Sequence, residues 1–177
     1  GELDFFMSIP RALALARALA ERAPECIWFA LGSPADLAKL REEEWALLHA
    51  GGLRKIEMGT ESGSNRLLRL LGKGHTAEQC LELTRGMLRH GIVPMNNFLF
   101  GFPGETREDR QQSLRLIHRI WSLSPERNCI TFRYFQPTWQ TPLGRQAWAA
   151  TPGAPANLPE YLAHRPGYDD PGRRSMP

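Results

Sequence analysis

The sequence has no two cysteines close enough together to bind one metal ion. Cys26, Cys80 and Cys129 are its only cysteines, and their wide spacing excludes a C-x-x-C motif. An odd number of cysteines also argues against a disulfide framework. We therefore expect isolated buried thiols and no metal site in this sequence.

Long apolar runs and phosphate-binding glycine patterns are absent as well. No stretch approaches the ~20 apolar residues of a membrane-spanning helix, and the first residues do not resemble a signal peptide. Neither G-x-G-x-x-G nor G-x-x-x-x-G-K-[ST] occurs. The net charge of +3, from 22 basic and 19 acidic residues, is too small for a dedicated nucleic-acid site. We expect a soluble, cytoplasmic protein without a membrane span.

The sequence does contain a regular alternation of helical and strand-like segments. Periodicity and turn residues predict helices over residues 11–22, 36–50, 65–71, 76–90 and 106–123, and strands over residues 26–31, 53–58, 92–100 and 129–135. The first strand is expected to be buried, and the last helix to bury Leu114, Ile117 and Trp121. Strands that alternate with helices predict an α/β fold with a parallel sheet.

The length of the chain and its first residues bear on the domain organisation. Residues 4–6 resemble the exit of a strand that has no beginning, and the 177 residues are too few for a closed eight-stranded barrel of roughly 250 residues. We expect a truncated chain in which residues 1–150 form part of a larger barrel. The proline- and glycine-rich residues 151–177 are expected to be an extended or disordered tail.

Candidate ligand-binding residues follow the strands, because parallel sheets bind ligands at the carboxyl ends of their strands. The second strand leads into Gly59-Thr60-Glu61-Ser62-Gly63-Ser64, and the third leads into Gly101-Phe102-Pro103-Gly104-Glu105-Thr106. Tyr134 lies near the end of the fourth. Each glycine-rich segment can equally be a turn with a helix cap. Glu57, four residues before Glu61, is not expected to reach the same ligand.

Basic residues and histidines give no independent site. Arg66, Arg69 and Lys73 share one predicted helical face, which is typical of a solvent-exposed stripe. The histidines are isolated in the sequence, and we interpret three of them as surface or capping residues: His75, His90 and His118.

Three strings together resemble successive signatures of radical S-adenosylmethionine (SAM) enzymes. They are Gly59 to Ser64, then Leu71-Gly72-Lys73-Gly74-His75-Thr76, then Phe98-Leu99-Phe100 with Gly101 to Thr106. Asp4-Phe5-Phe6 and residues 133–143 are similar to segments of members with an upstream cobalamin-binding domain. The resemblance covers residues 1 to about 145.

The resemblance implies a partial (β/α)6 TIM-like barrel, about strands 3–6, that binds SAM. In the family, Glu61 would receive the ammonium group of SAM and Lys73 its carboxylate, while the adenine packs by Leu99. The expected cofactor-binding residues are Glu61, Ser62, Gly63, Lys73, Leu99, Gly101 and Tyr134. No catalytic residue is assigned.

The family's C-x-x-x-C-x-x-C loop, which binds a [4Fe-4S] cluster, is absent from this sequence. The resemblance therefore implies a parent enzyme whose upstream segment binds the cluster and which depends on a reductant protein. It would generate a 5′-deoxyadenosyl radical for methylation or rearrangement of an unreactive carbon, with cobalamin as a further cofactor. This chain alone is expected to be inactive. Two other interpretations stay open: a non-catalytic binding module on a degenerate half barrel, and an unrelated α/β enzyme that uses Glu61 as an acid or base.

Overall fold

The structure of the protein is a computed structural model that describes residues 4–137 and 141–149. Backbone contacts divide the chain into two units, Gly1–Tyr134 and Phe135–Pro177. In the second unit the described residues include one helix, Pro142–Ala149. The predicted domain boundary at residue 150 stays a prediction, and the predicted tail over 151–177 lies outside the described residues.

The first unit alternates helices and strands. Its described elements are a turn of 3-10 helix (Phe5–Met7), α1 (Ile9–Arg22), β1 (Trp28–Gly32), α2 (Pro34–Leu37), α3 (Glu42–Ala50), β2 (Leu53–Glu61), α4 (Asn65–Leu70), α5 (Ala77–Arg89), β3 (Val93–Phe100), α6 (Arg107–Trp121) and β4 (Cys129–Tyr134). The strands pair in parallel in the order β1-β2-β3-β4. The predicted α/β class is confirmed.

The two faces of the sheet differ in what covers them. The packed face carries Ala30, Ile56, Met58 and Phe98, which are buried against side chains of the helices. The open face carries Phe29, Leu31, Glu57, Asn97 and Thr131. Phe29 is 75% exposed on this face. The prediction of a fully buried first strand is therefore wrong, because only one side of β1 packs against helices.

The predicted helix over residues 36–50 forms as two helices. The break follows Leu37, because Arg41 begins a new helix by donating its backbone N–H to Glu44 Oε2 at 2.8 Å. This capping contact satisfies a backbone group at the start of α3. The predicted apolar stripe still faces the core on both helices, since Leu37 and Leu48 are both buried.

The buried face of α6 is not the predicted one. Leu114 is 58% exposed and Trp121 is 49% exposed, whereas Leu116 and Ile120 are buried. The same buried face includes a polar residue, Ser113, whose hydroxyl group bonds to the segment after β2. Apolar periodicity misses this face because polar contacts form part of it.

Candidate functional site

A cavity of about 390 Å³ lies at the carboxyl ends of β1, β2 and β3. Ligand sites of open parallel sheets occupy this position, and the volume suits a small molecule. Its charged and polar lining includes Asp4, Glu57, Glu61, Lys73, His75 and Asn97.

Two of the predicted cofactor-binding residues meet in this cavity. Lys73 Nζ donates to Glu61 Oε1 at 2.8 Å, with side chains that are 39% and 14% exposed. They meet because α4 is short and the chain then turns back, with the backbone N–H of Lys73 donating to the carbonyl of Leu68 at 2.9 Å. The pair places one carboxylate and one ammonium group at the cavity wall.

The backbone of Glu61 is unusual for a residue with a side chain. Its φ is 60°, in the left-handed region, which is uncommon outside glycine. The register between β2 and β3 also shifts between Met58 and Glu61. An irregularity of this kind redirects a side chain at the end of a strand, and here the carboxylate of Glu61 lines the cavity.

Ser62 and Gly63 lie against α6 rather than in the cavity lining. The Ser62 hydroxyl is buried, 3.0 Å from the hydroxyl of Ser113, and accepts the backbone N–H of Ser64 at 3.0 Å. A Cβ on Gly63 would lie 2.4 Å from the carbonyl oxygen of Gln112, so only glycine allows this approach. These contacts fix the end of β2. Contact of Ser62 or Gly63 with a ligand stays a prediction.

A buried carboxylate, Asp109, ties the start of α4 to α6. It is 3% exposed, pairs with Arg66, and accepts the hydroxyl protons of Ser64 at 2.5 Å and Thr106 at 2.7 Å. The Arg66 guanidinium, with the Ser64 and Thr106 donors, holds the pKa of Asp109 well below its usual range. Arg66 is half exposed, as predicted, but Lys73 lies beyond the end of α4, so the three basic residues do not share one helical face.

The other predicted cofactor-binding residues lie at the ends of β3 and β4. Gly101 has a φ of 81°, and its N–H donates to Glu105 Oε2 at 2.7 Å. A Cβ on Gly101 would lie 3.8 Å from the Tyr134 ring, and Tyr134 is 81% exposed. Leu99 pairs across the sheet with Arg133. None of the three predicted residues lines the cavity, and an adenine site at Leu99, Gly101 and Tyr134 stays a prediction.

Sequence reasoning missed several polar residues of the cavity. Glu57 shares the cavity wall with Glu61, and the expectation that it does not reach the ligand of Glu61 stays a prediction. Both oxygens of Asp4 accept backbone N–H groups at 3.0 Å, from Phe6 and Ser33. Strand alternation was the available signal for Glu57, because alternate residues of β2 face the same side.

His75 is buried, so its interpretation as a surface or capping residue is wrong. It is 8% exposed, and its Nε2 lies 3.4 Å from the carbonyl oxygen of Thr60. Burial lowers the pKa of His75, which favours the neutral imidazole near pH 7. The loop that carries Lys73 packs this ring against the end of β2.

The three cysteines are free, and the expected burial of their thiols is wrong for Cys26 and Cys129, which are only partly buried. Cys80 is buried, and burial raises the pKa of its thiol to about 12. Among residues 4–137 and 141–149, no three His, Cys, Asp or Glu side chains come together as metal ligands. None of the described helices is both long and apolar enough to cross a lipid bilayer.

Comparison with protein families decides the classification. The model of the radical SAM superfamily matches residues 4–117, which is more than half of the chain. The chain belongs to the radical SAM superfamily. This result confirms the resemblance seen in the glycine-rich strings.

Curated relatives of this superfamily member include group-transfer enzymes. The chain is 32% identical over 103 residues to the tRNA-2-methylthio-N(6)-dimethylallyladenosine synthase of Ehrlichia ruminantium (strain Gardel), a match that covers 54% of this chain and 22% of that protein. It is 24% identical over 116 residues to the uncharacterized methyltransferase PH0819 of Pyrococcus horikoshii, covering 66% of this chain and 25% of that protein. The chain thus spans about a quarter or less of these relatives.

Solved structures of radical SAM enzymes share the fold. The radical SAM methyltransferase TsrM from Kitasatospora setae, with cobalamin and a [4Fe-4S] cluster bound, gives a TM-score of 0.66 at 24% identity, over 82% of this chain and 29% of that one. The cobalamin-dependent radical enzyme OxsB gives 0.55 at 24% identity, over 61% of this chain and 16% of that one. The four-stranded sheet and its helices therefore match a partial TIM-like radical SAM barrel, as predicted.

Proposed function

We propose that this chain supplies the SAM-binding part of a radical SAM enzyme, with Glu61 and Lys73 as the residues that bind the amino-acid part of SAM. The observation that carries the proposal is the Glu61–Lys73 ion pair at 2.8 Å in the cavity. An amino-acid zwitterion offers one ammonium and one carboxylate. The ammonium group of the ligand can replace Lys73 beside Glu61, and the carboxylate of the ligand can replace Glu61 beside Lys73. Every charge then keeps a partner of opposite sign.

The chemistry of the other cavity residues is compatible with this ligand. Burial lowers the pKa of His75 and so favours its neutral form, and Lys73 supplies the cation that lines the cavity beside Glu61. Asp4 and Glu61 add negative charge that complements the ammonium and sulfonium groups of SAM. Bound SAM supplies the radical chemistry of the family.

The described residues do not fit the [4Fe-4S] cluster of the family, because the three cysteines are far apart in the sequence and form no group of metal ligands with other described side chains. We propose that residues other than these bind the cluster in the parent enzyme, which also uses a reductant protein. The parent enzyme would transfer a methyl-type group to an unreactive carbon, which agrees with the methyltransferase and methylthio-synthase names of the relatives. It would use cobalamin as a further cofactor, as in the TsrM and OxsB structures.

Titration calorimetry with SAM tests the proposal on the 177-residue chain. Glu61→Gln and Lys73→Met each remove one charge while keeping side-chain length. Affinity is expected to fall roughly ten- to hundredfold, because a charge-assisted hydrogen bond contributes about 1.5–3 kcal/mol. Glu108→Gln is the matched control, since Glu108 pairs with Arg115 at the same 2.8 Å on the surface of α6.

Titration with L-methionine and with 5′-deoxyadenosine, the two parts of SAM, tests which part Glu61 and Lys73 bind. L-Methionine binding is expected to weaken in both variants, and 5′-deoxyadenosine binding in neither. A loss of 5′-deoxyadenosine binding in Glu61→Gln would show that Glu61 contacts the nucleoside part of SAM instead of its amino-acid part. Unchanged SAM affinity in both variants would exclude the pair from the cofactor site.

A further inference from the structure

A row of polar side chains crosses the open face below the Glu61–Lys73 pair. The amide of Asn97 donates to Glu57 Oε1 at 2.6 Å, and the hydroxyl of Thr131 donates to Asn97 Oδ1 at 2.5 Å. The three residues come from β2, β3 and β4. Because Asn97 both donates and accepts, the row fixes the orientation of its amide and of the Glu57 carboxylate.

Glu57 is the cavity carboxylate with spare capacity. Asp4 accepts a backbone N–H on each oxygen, and Glu61 is paired with Lys73. Within the part of the chain that the structure describes, Glu57 has no cationic partner, and its Oε2 accepts no hydrogen bond. Lys55, two residues earlier on β2, does not line the cavity. Glu57 therefore offers the cavity a carboxylate that is not held in an ion pair.

The neighbouring wall is apolar. Leu31 lines the cavity, is 40% exposed, and is the cross-strand partner of Glu57. Phe29 continues this apolar surface along β1 and is 75% exposed. An oriented carboxylate therefore stands directly beside an apolar strand face.

We propose that Glu57 and Leu31 form a second subsite in the cavity, which binds the reacting partner of SAM through a cationic amine on an apolar frame. The carboxylate of Glu57 accepts a hydrogen bond from the cationic amine, and the apolar part of the substrate packs on Leu31. This inference rests on the proposed function, because it assigns the substrate class of the same cavity. It makes Glu57 a specificity-determining residue.

A pair of probes with the same frame and opposite charge tests the subsite. Phenethylammonium and 3-phenylpropionate are titrated into the 177-residue chain with SAM present. The chain is expected to prefer the amine, and Glu57→Gln is expected to lower that preference about two- to fivefold, as for a partly exposed ion pair. Gln keeps an oxygen for Asn97, and a thermal melt checks the fold. Glu108→Gln is expected to keep the full preference.

A second variant separates charge from apolar contact. Leu31→Ala is expected to weaken both probes by a similar factor and to leave their ratio unchanged, since it removes only apolar surface. An unaltered amine preference in Glu57→Gln would overturn the inference, as would competition between the amine and SAM for one site. Because SAM binding is measured separately, those results leave the Glu61–Lys73 proposal standing. The Glu61–Lys73 proposal is tested independently by the loss of SAM binding in Glu61→Gln and Lys73→Met.

Discussion

The two faces of the sheet use the same strands for different purposes. On the packed face, Met58 and Phe98 are fully buried among helix side chains. On the open face, Glu57 and Asn97 lie one residue away along the same strands and line the cavity. Because side chains alternate along a strand, the residues that stabilise the fold and the residues that line the cavity lie on opposite faces of the sheet. Substitutions on the two faces should therefore affect different measurements.

The largest expected effect is on the packed face. Phe98→Ala removes a fully buried ring that packs with Leu81 and Leu116, and it is expected to lower the free energy of unfolding by about 3–5 kcal/mol. Urea denaturation of the purified chain measures the change. A loss below about 1 kcal/mol would mean that the packed face does not carry the stability of the first unit.

An intermediate effect is expected at Asp109, which links α6 to the segment that carries the site. Asp109→Asn removes the charge that Arg66 and the hydroxyl groups of Ser64 and Thr106 surround. We expect a loss of about 1–3 kcal/mol at pH 7. Urea denaturation of both proteins checks it, with Glu108→Gln as an exposed carboxylate that should change little.

The same substitution has a pH signature. The folded-state pKa of Asp109 lies below its ordinary value of 3.8, so its stabilisation is complete above about pH 4 and is lost as the pH falls through that value and below. The difference between the parent chain and Asp109→Asn should therefore shrink in acid. A difference that stays constant from pH 7 to pH 3 would contradict the ion pair.

The smallest effect is expected on the open face. Phe29→Ser removes an aromatic ring that is 75% exposed, and the free energy of unfolding should change by less than about 0.5 kcal/mol. The same variant should reduce binding of hydrophobic dyes, because it removes exposed apolar surface. A loss as large as that of Phe98→Ala would show that the open face is covered in solution.

Much of the fold could be predicted from the sequence because strands and caps are encoded locally. The four strands were predicted to within a few residues, and the glycine-rich strings identified Glu61 and Lys73. The family resemblance implied that both residues contact SAM, but their direct pairing across 12 positions was not predicted. Periodicity alone did not contain it, since a contact of this kind depends on how a loop turns back.

Other features depended on tertiary contacts that no local pattern contains. The buried face of α6 includes Ser113 and Asp109, which are polar and therefore invisible to an apolar stripe. His75 is buried only because the Lys73 loop closes over the end of β2. β2 continues to Glu61, three residues beyond its predicted end, because Glu61 still pairs with Phe98 of β3.

The left-handed backbone of Glu61 has an evolutionary consequence. A non-glycine residue at a φ of 60° costs roughly 1–2 kcal/mol, which glycine would recover and asparagine would partly recover. A library sorted only for thermal tolerance would therefore enrich glycine at this position and discard the carboxylate. A library sorted for ligand retention would keep glutamate and accept the lower melting temperature. The two selections would favour different residues at position 61, as expected where a binding group lowers the stability of the folded protein.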